Sequence, residues 1–121
     1  MLNIACEPEG TPAGVLIRAV DPLEGLPTIQ ANRPERKPLE WTSGPARLTM
    51  AFGVTLALNR LDMTTPTGGL WIEADQLIPD AQVRTGPRIG LGKVPEPWFS
   101  MAWRWWVGGN LNVSVGSGKL G

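Results

Sequence analysis

Three arginines and one aromatic-rich stretch carry the chemistry this sequence could perform. Arg18 lies inside the apolar run Gly14-Val15-Leu16-Ile17-Arg18-Ala19-Val20, which leads into Asp21-Pro22-Leu23-Glu24-Gly25. A run of this kind reads as a strand buried on both faces. A guanidinium within it must find anions or acceptors, because an unpaired buried charge is costly. Either Arg18 makes a structural ion pair with Asp21 or Glu24, or it faces a site. Arg47 follows Ser43-Gly44-Pro45-Ala46, a helix start whose free backbone N–H groups would suit a phosphate; an ordinary capped helix is the competing reading. Arg88 and Ile89 sit in Thr85-Gly86-Pro87-Arg88-Ile89-Gly90-Leu91-Gly92, where side chains are small and the backbone can come close to a ligand, or where a strand simply carries bulges. Trp98, Phe99, Trp103, Trp105 and Trp106 could stack on flipped-out bases or on sugars, or could cover a core and a sheet edge.

Composition narrows the reaction types. The 121 residues include no histidine, so Ser-His-Asp, Cys-His and most zinc arrangements are excluded within this chain, leaving carboxylate, arginine and backbone chemistry. The one cysteine, Cys6, cannot form an internal disulfide and fits a reducing compartment. Net charge is zero, but it is banded. Residues 30–60 carry Arg33, Arg36, Lys37, Arg47 and Arg60 against Glu35 and Glu40, and residues 81–121 carry Glu96 as their single acid. Such banding permits a basic face, although it also describes an ordinary solvated surface. Mean hydropathy is near zero, no apolar run has the length of a membrane span, and the N-terminus has no basic region followed by an apolar one.

The elements that must position these residues can be read in outline. Leu2 to Cys6 alternates like a strand, and the turn-rich Glu7 to Pro12 joins it to Val15-Leu16-Ile17 as a hairpin. Leu26 to Ala31 has the makings of a short helix; the prolines and mixed charges of 32–40 make a loop. The strongest helix starts at Pro45 with Thr42 or Ser43 as cap, buries Leu48, Ala51 and Phe52, and stops at Gly53. Val54 to Leu61 could extend into a second helix, and Leu70 to Glu73 reads as a short strand. Met101 to Val107 alternates as a strand with Arg104 opposite to Trp103 and Trp105, turns at Gly108-Gly109-Asn110, and returns through Leu111 to Val115. The expected architecture is α+β: a single domain of mostly antiparallel sheet with packed helices over residues 1–115, followed by a flexible Gly- and Ser-rich tail, 116–121.

Asn3-Ile4, Val15-Leu16-Ile17-Arg18-Ala19, Pro22-Leu23-Glu24-Gly25, Ser43-Gly44-Pro45-Ala46-Arg47-Leu48, Arg88-Ile89-Gly90 and the Trp98-to-Ser114 segment occur in this order. Together they resemble the DNA-3-methyladenine glycosylases of the alkyladenine glycosylase type. The resemblance implies base-excision repair: binding of double-stranded DNA, flipping of a damaged purine into a pocket, and hydrolysis of its N-glycosidic bond without metal or other cofactor. By the same resemblance, Arg18 matches the arginine that helps hold the attacking water and the flipped nucleotide's backbone. Ile89 matches the position whose main-chain carbonyl contacts that water. Asn3 matches the pocket asparagine that senses the purine edge. Arg47 matches a phosphate contact, and Arg33 and Arg88 are expected to serve likewise, positioning the duplex without reading sequence.

The resemblance also implies what does not match. In the family, the glutamate that acts as general base, the pocket aromatics and the tyrosine that wedges into DNA lie upstream of the position of Asn3. Glu7 and Glu9 lie downstream of it, and the chain contains no tyrosine. The chain is therefore expected to correspond to the C-terminal part of a glycosylase, incomplete at its N-terminus, with an unpaired edge on its first strand. It is expected to be inactive alone, monomeric, not associated with a membrane, and cytoplasmic in a bacterium or nuclear in a eukaryote. Two rival readings remain: a non-catalytic DNA-binding remnant using Arg33, Arg47 and Arg88, and a small Trp-rich module binding a sugar or peptide.

Overall fold

The structure, a computed structural model, describes residues 1–113. The fold is α+β, with two α-helices and two antiparallel two-stranded sheets among the described residues. The chain forms two compact units, Met1–Asp75 and Gln76–Gly121.

The first unit opens with a hairpin. β1 (Asn3–Ala5) pairs antiparallel with β2 (Gly14–Leu16) in the register Asn3↔Leu16, Ile4↔Val15, Ala5↔Gly14. The Ile17 N–H donates to the Leu2 carbonyl at 3.0 Å and carries the pairing one residue further. The strand expected to be buried on both faces is not. Val15 is 52% exposed and residues 16–20 are half-buried. A two-stranded ribbon has no neighbouring strands or second layer to bury both of its faces.

Two helices follow. α1 (Leu26–Asn32) is entered through Gly25 and carries Pro27 in its first turn. α2 (Pro45–Phe52) has Pro45 at its first position and Gly53 at its C-terminal cap. Gly53 sits at φ 65°, where a side chain would strain the backbone, and this is why the helix stops there. The small core lies between the helices, where Ile29, Trp41 and Ala51 cluster, with Leu48 2% exposed. Asn32 donates its Nδ2 to the Ala51 carbonyl at 2.9 Å, and Trp41 donates its indole N–H to the Arg36 carbonyl at 3.1 Å. These bonds satisfy polar groups that burial would otherwise leave at a cost.

Several expectations need correction. The residue capping α2 is Gly44, with no side-chain cap bond, because Thr42 and Ser43 are committed elsewhere. Phe52 is 47% exposed rather than buried. Val54 to Leu61 yields a single 3-10 turn, Leu56–Leu58, and 70–73 forms no strand, keeping one backbone bond from Ile72 N–H to the Met63 carbonyl. Among the described residues each sheet has two strands, so 70–73 has no ladder to join that would repay the ordering of more backbone.

In the second unit, β3 (Val83–Gly86) pairs antiparallel with β4 (Arg104–Val107). The expected hairpin between 101–107 and 111–115 is not formed over its described part: residues 111 and 112 are a turn, and the partner of β4 is β3. Gly86 decides this pairing sterically. It faces Arg104 across the ladder, and a Cβ on it would come within 3.3 Å of the Trp106 ring. The expected return strand beyond 113 and the tail 116–121 lie outside the described residues.

Candidate nucleic-acid interface

In the first unit, alternation along the hairpin sorts the residues by face. Asn3 and Leu16 stand opposite one another and share one face, and Arg18 lies two residues beyond the end of β2. Leu2 and Ile17 occupy the other and line an apolar cavity with Leu48 and Phe52. The hairpin thus sets Asn3 on the face away from an apolar floor. Asn3 is exposed and Arg18 half-buried.

The exit of the hairpin is tied to the start of α2. Thr42, with no exposed surface, donates its hydroxyl to the Val20 carbonyl at 2.8 Å. One residue on, Ser43 is 5% exposed, and its hydroxyl accepts a 3.0 Å bond from Arg47 Nη1. Arg47 itself is exposed, held one helical turn from Ser43 by that bond. A cation in the first turn works against the helix dipole, but it adds to the positive potential of the free N–H groups there. The combination favours an anion, and a phosphate is the right size and charge.

Arg33 is placed differently. It is 8% exposed, with Nη2 donating to the Glu40 carbonyl at 3.2 Å and Nη1 to the Met50 sulfur at 3.5 Å. Its Nε is buried and has no partner among the described residues. This guanidinium braces the loop after α1 against α2.

In the second unit, Arg88 lies with its guanidinium carbon 5.3 Å from the centroid of the Trp103 ring. Its Nη2 donates to the Trp98 carbonyl at 3.2 Å. Trp98 and Trp103 sit with ring centroids 5.6 Å apart, tilted by 34°. Arg104 stacks on Trp106 at 4.1 Å and donates from Nε to the Pro87 carbonyl at 3.0 Å. This pair shares a face because both residues occupy alternate positions of β4, as the sequence alternation implied. Ile89 is 37% exposed, in the irregular segment after β3. The structure therefore groups Arg88 with Trp98 and Trp103 in the second unit, while Asn3 on β1 and Arg18 beyond β2 both belong to the first.

Sequence reasoning missed three supports of these residues. Their types and place suggest Thr42 or Ser43 as a cap, whereas Thr42 anchors the hairpin exit and Ser43 orients Arg47. The Ser43–Arg47 spacing of four was a legible signal. Trp103 as a platform for Arg88 had no such signal, since fifteen positions separate them in the chain.

The comparison with known proteins defines the class first. The family described as Methylpurine-DNA glycosylase (MPG) matches residues 1–111. The chain belongs to the methylpurine-DNA glycosylase family. Among its relatives, a protein of Bacillus subtilis (strain 168), provisionally named 3-methyladenine DNA glycosylase, is 42% identical over 94% of this chain and 56% of its own length. A protein of the same provisional name from Burkholderia cenocepacia (strain HI2424) is 42% identical over 93% of this chain and 53% of its own length. One from Salinibacter ruber (strain DSM 13855 / M31) is 36% identical over 97% and 54%. The chain spans about half the length of the curated relatives it matches. Among the described residues, no helix is long and apolar enough to cross a membrane.

Proposed function

We propose that this chain is part of a base-excision device that acts on alkylated purines flipped out of duplex DNA, with hydrolysis of the N-glycosidic bond as its chemistry. The reading is supported by the match of a methylpurine-DNA glycosylase family to residues 1–111, together with Asn3 standing on β1 of the hairpin whose second strand runs on towards Arg18. In this proposal Asn3 reads the edge of the flipped purine, while Arg18 holds the attacking water and the nucleotide's backbone. The Ile89 main-chain carbonyl contacts the same water. A carboxylate general base would take the water's proton as the base leaves, a contribution of about a hundred- to ten-thousand-fold for such transfers. No residue of this chain is proposed for that role, so the isolated chain binds without excising.

Arg47 is the phosphate contact best supported, being exposed and oriented by Ser43 at the start of α2. Arg88 serves likewise from its place over Trp103, whereas the buried Arg33 supports the interface from beneath. Residues 1–115 belong to one glycosylase domain in this reading, one copy works on each lesion, and a DNA substrate places the protein with the nucleoid in the cytoplasm or in a nucleus.

The test incubates the purified chain with duplex DNA bearing one alkylated or deaminated purine. Salt-dependent binding and no base release are expected. Base release that disappears in Arg18→Ala would overturn the proposed inactivity. Salt-independent binding, or no binding at all, would remove the DNA reading.

A further inference from the structure

Among the described residues, Arg33 is the charged side chain that folding buries, at 8% exposure, and its partners are poor for a buried cation. Nη2 donates to the Glu40 carbonyl at 3.2 Å, and Nη1 donates to the Met50 sulfur at 3.5 Å. Nε is buried with no hydrogen-bond partner among the described residues. A thioether is a weak acceptor, so the guanidinium is left with donor capacity that burial makes costly. Met50 stands on opposite terms. Its neighbours on α2, Leu48, Thr49 and Ala51, are buried, whereas Met50 is 56% exposed. One side chain therefore meets solvent and also presents its sulfur to an under-satisfied buried cation.

We propose that Met50 is a site of reversible sulfoxidation, with Arg33 as the receptor for its product. The oxidant is hydrogen peroxide. A sulfur lone pair attacks one peroxide oxygen, an S–O bond forms as the O–O bond breaks, and the other oxygen leaves as water after taking up a proton. Sulfur is oxidised by two electrons and peroxide is reduced by two. The product is polar, and its oxygen is a much better acceptor than the thioether sulfur. The unbranched methionine side chain can turn that oxygen onto Nη1, replacing a weak bond with a charge-assisted one. Methionine oxidation ordinarily disrupts packing. Here it should instead tighten the brace that Arg33 makes from the end of α1 to the Glu40 carbonyl and α2. Methionine sulfoxide reductases take the oxygen back and restore the thioether. The inference uses neither the family membership nor the proposed catalysis, and it stands or falls apart from them.

The experiment treats the purified chain with hydrogen peroxide and locates the added oxygen by peptide mass spectrometry. Met1, 75% exposed, and Met50 should be oxidised before the half-buried Met63 and Met101. In urea, the unfolding equilibrium constant of the oxidised chain should be about tenfold lower than that of the reduced chain, the scale of one hydrogen bond to a charged group. Once the two epimer-specific reductases have removed the oxygen, that gain should be gone. Met50→Leu still oxidises at Met1 and should show no gain, and Arg33→Gln should show none or a loss. A readout without any variant guards against substitutions that fail to fold: the Arg33 side-chain nitrogen resonances should shift on oxidation, with proton exchange slowed by about fivefold. Oxidation of Met50 no sooner than of Met63 and Met101 overturns the proposal. So does an oxidised wild type that is no more stable than the reduced chain, or Arg33 resonances that do not move. A gain of the same size in Met50→Leu, or one that persists after reduction, would place its origin elsewhere and also overturn it.

Discussion

Arg33 and Arg47 differ by fourteen positions and by everything that matters to a guanidinium. Arg33 is enclosed, with its two terminal nitrogens on the Glu40 carbonyl and the Met50 sulfur; Arg47 is outside, steadied by Ser43. Their substitutions should separate accordingly. Arg33→Ala leaves the half-buried Glu40 carbonyl without its donor and should lower stability by about 1–3 kcal/mol in a denaturant titration. Measured on the folded protein, its salt dependence of duplex binding should match the wild type. Arg47→Ala should do the reverse, sparing stability and reducing the slope of log affinity against log salt by about 0.9, the value for one phosphate on duplex DNA. Asp62 provides a residue-scale test of the loop. Its carboxylate accepts both the Thr64 hydroxyl, at 2.6 Å, and the Thr64 N–H, at 2.9 Å, and these bonds hold its pKa below the ordinary value, the hydroxyl first. A carboxyl depressed in the folded state contributes stability above its unfolded pKa and loses it as pH falls through the folded one. Thr64→Val should raise the Asp62 pKa in an NMR titration, and with full exposure of the carboxyl the change in acid stability should be slight.

At the scale of elements, the hairpin and α2 depend on one joint. Thr42 closes it by donating to Val20, and Thr42→Val keeps the shape while orphaning that carbonyl. The expected loss is about 1–3 kcal/mol, seen as a lower melting midpoint. Because Ser43 and Arg47 follow directly, the same change should weaken duplex binding by loosening Arg47, although Thr42 reaches no ligand. Leu48 is 2% exposed where α2 meets the rest of the unit, and Leu48→Ala should cost about 2–5 kcal/mol. In a core of so few buried residues, that is enough to unfold the unit.

At the scale of the molecule, what is exposed says more than what is buried. Among the described residues, Ile29, Trp41, Leu48 and Ala51 are the buried apolar ones, and all of them lie in Met1–Asp75. In the second unit, Trp98, Trp103 and Trp105 are 48%, 42% and 62% exposed. Tryptophan emission of the isolated chain should therefore be strongly quenched by acrylamide. Trp105→Phe should remove much of the quenchable component, and the 8% exposed Trp41 should remain shielded. Exposure of these rings keeps a stacking surface available, either to bases of DNA or to another part of the family fold. Added single-stranded DNA should relieve the quenching if bases stack there.

Local chemistry was legible wherever a residue's conformation or partner lies within a few positions. Pro45 and Gly53 bounded α2, Leu2 to Cys6 and Val15 to Ile17 found each other across a short turn, and alternation placed Arg104 opposite to Trp105. The ordered motifs from Asn3 to Arg88 were sufficient for the family. Only the tertiary structure decided what depended on distant packing. It buried Arg33 rather than presenting it, turned Thr42 from a cap into an anchor, gave β4 the partner β3, and left the Leu2–Ile17 face over an open groove. The physical reason is common to all four. A side chain's charge, shape and spacing are properties of its type and neighbours, but its burial is set by which surfaces remain to cover it, and those come from elsewhere in the fold.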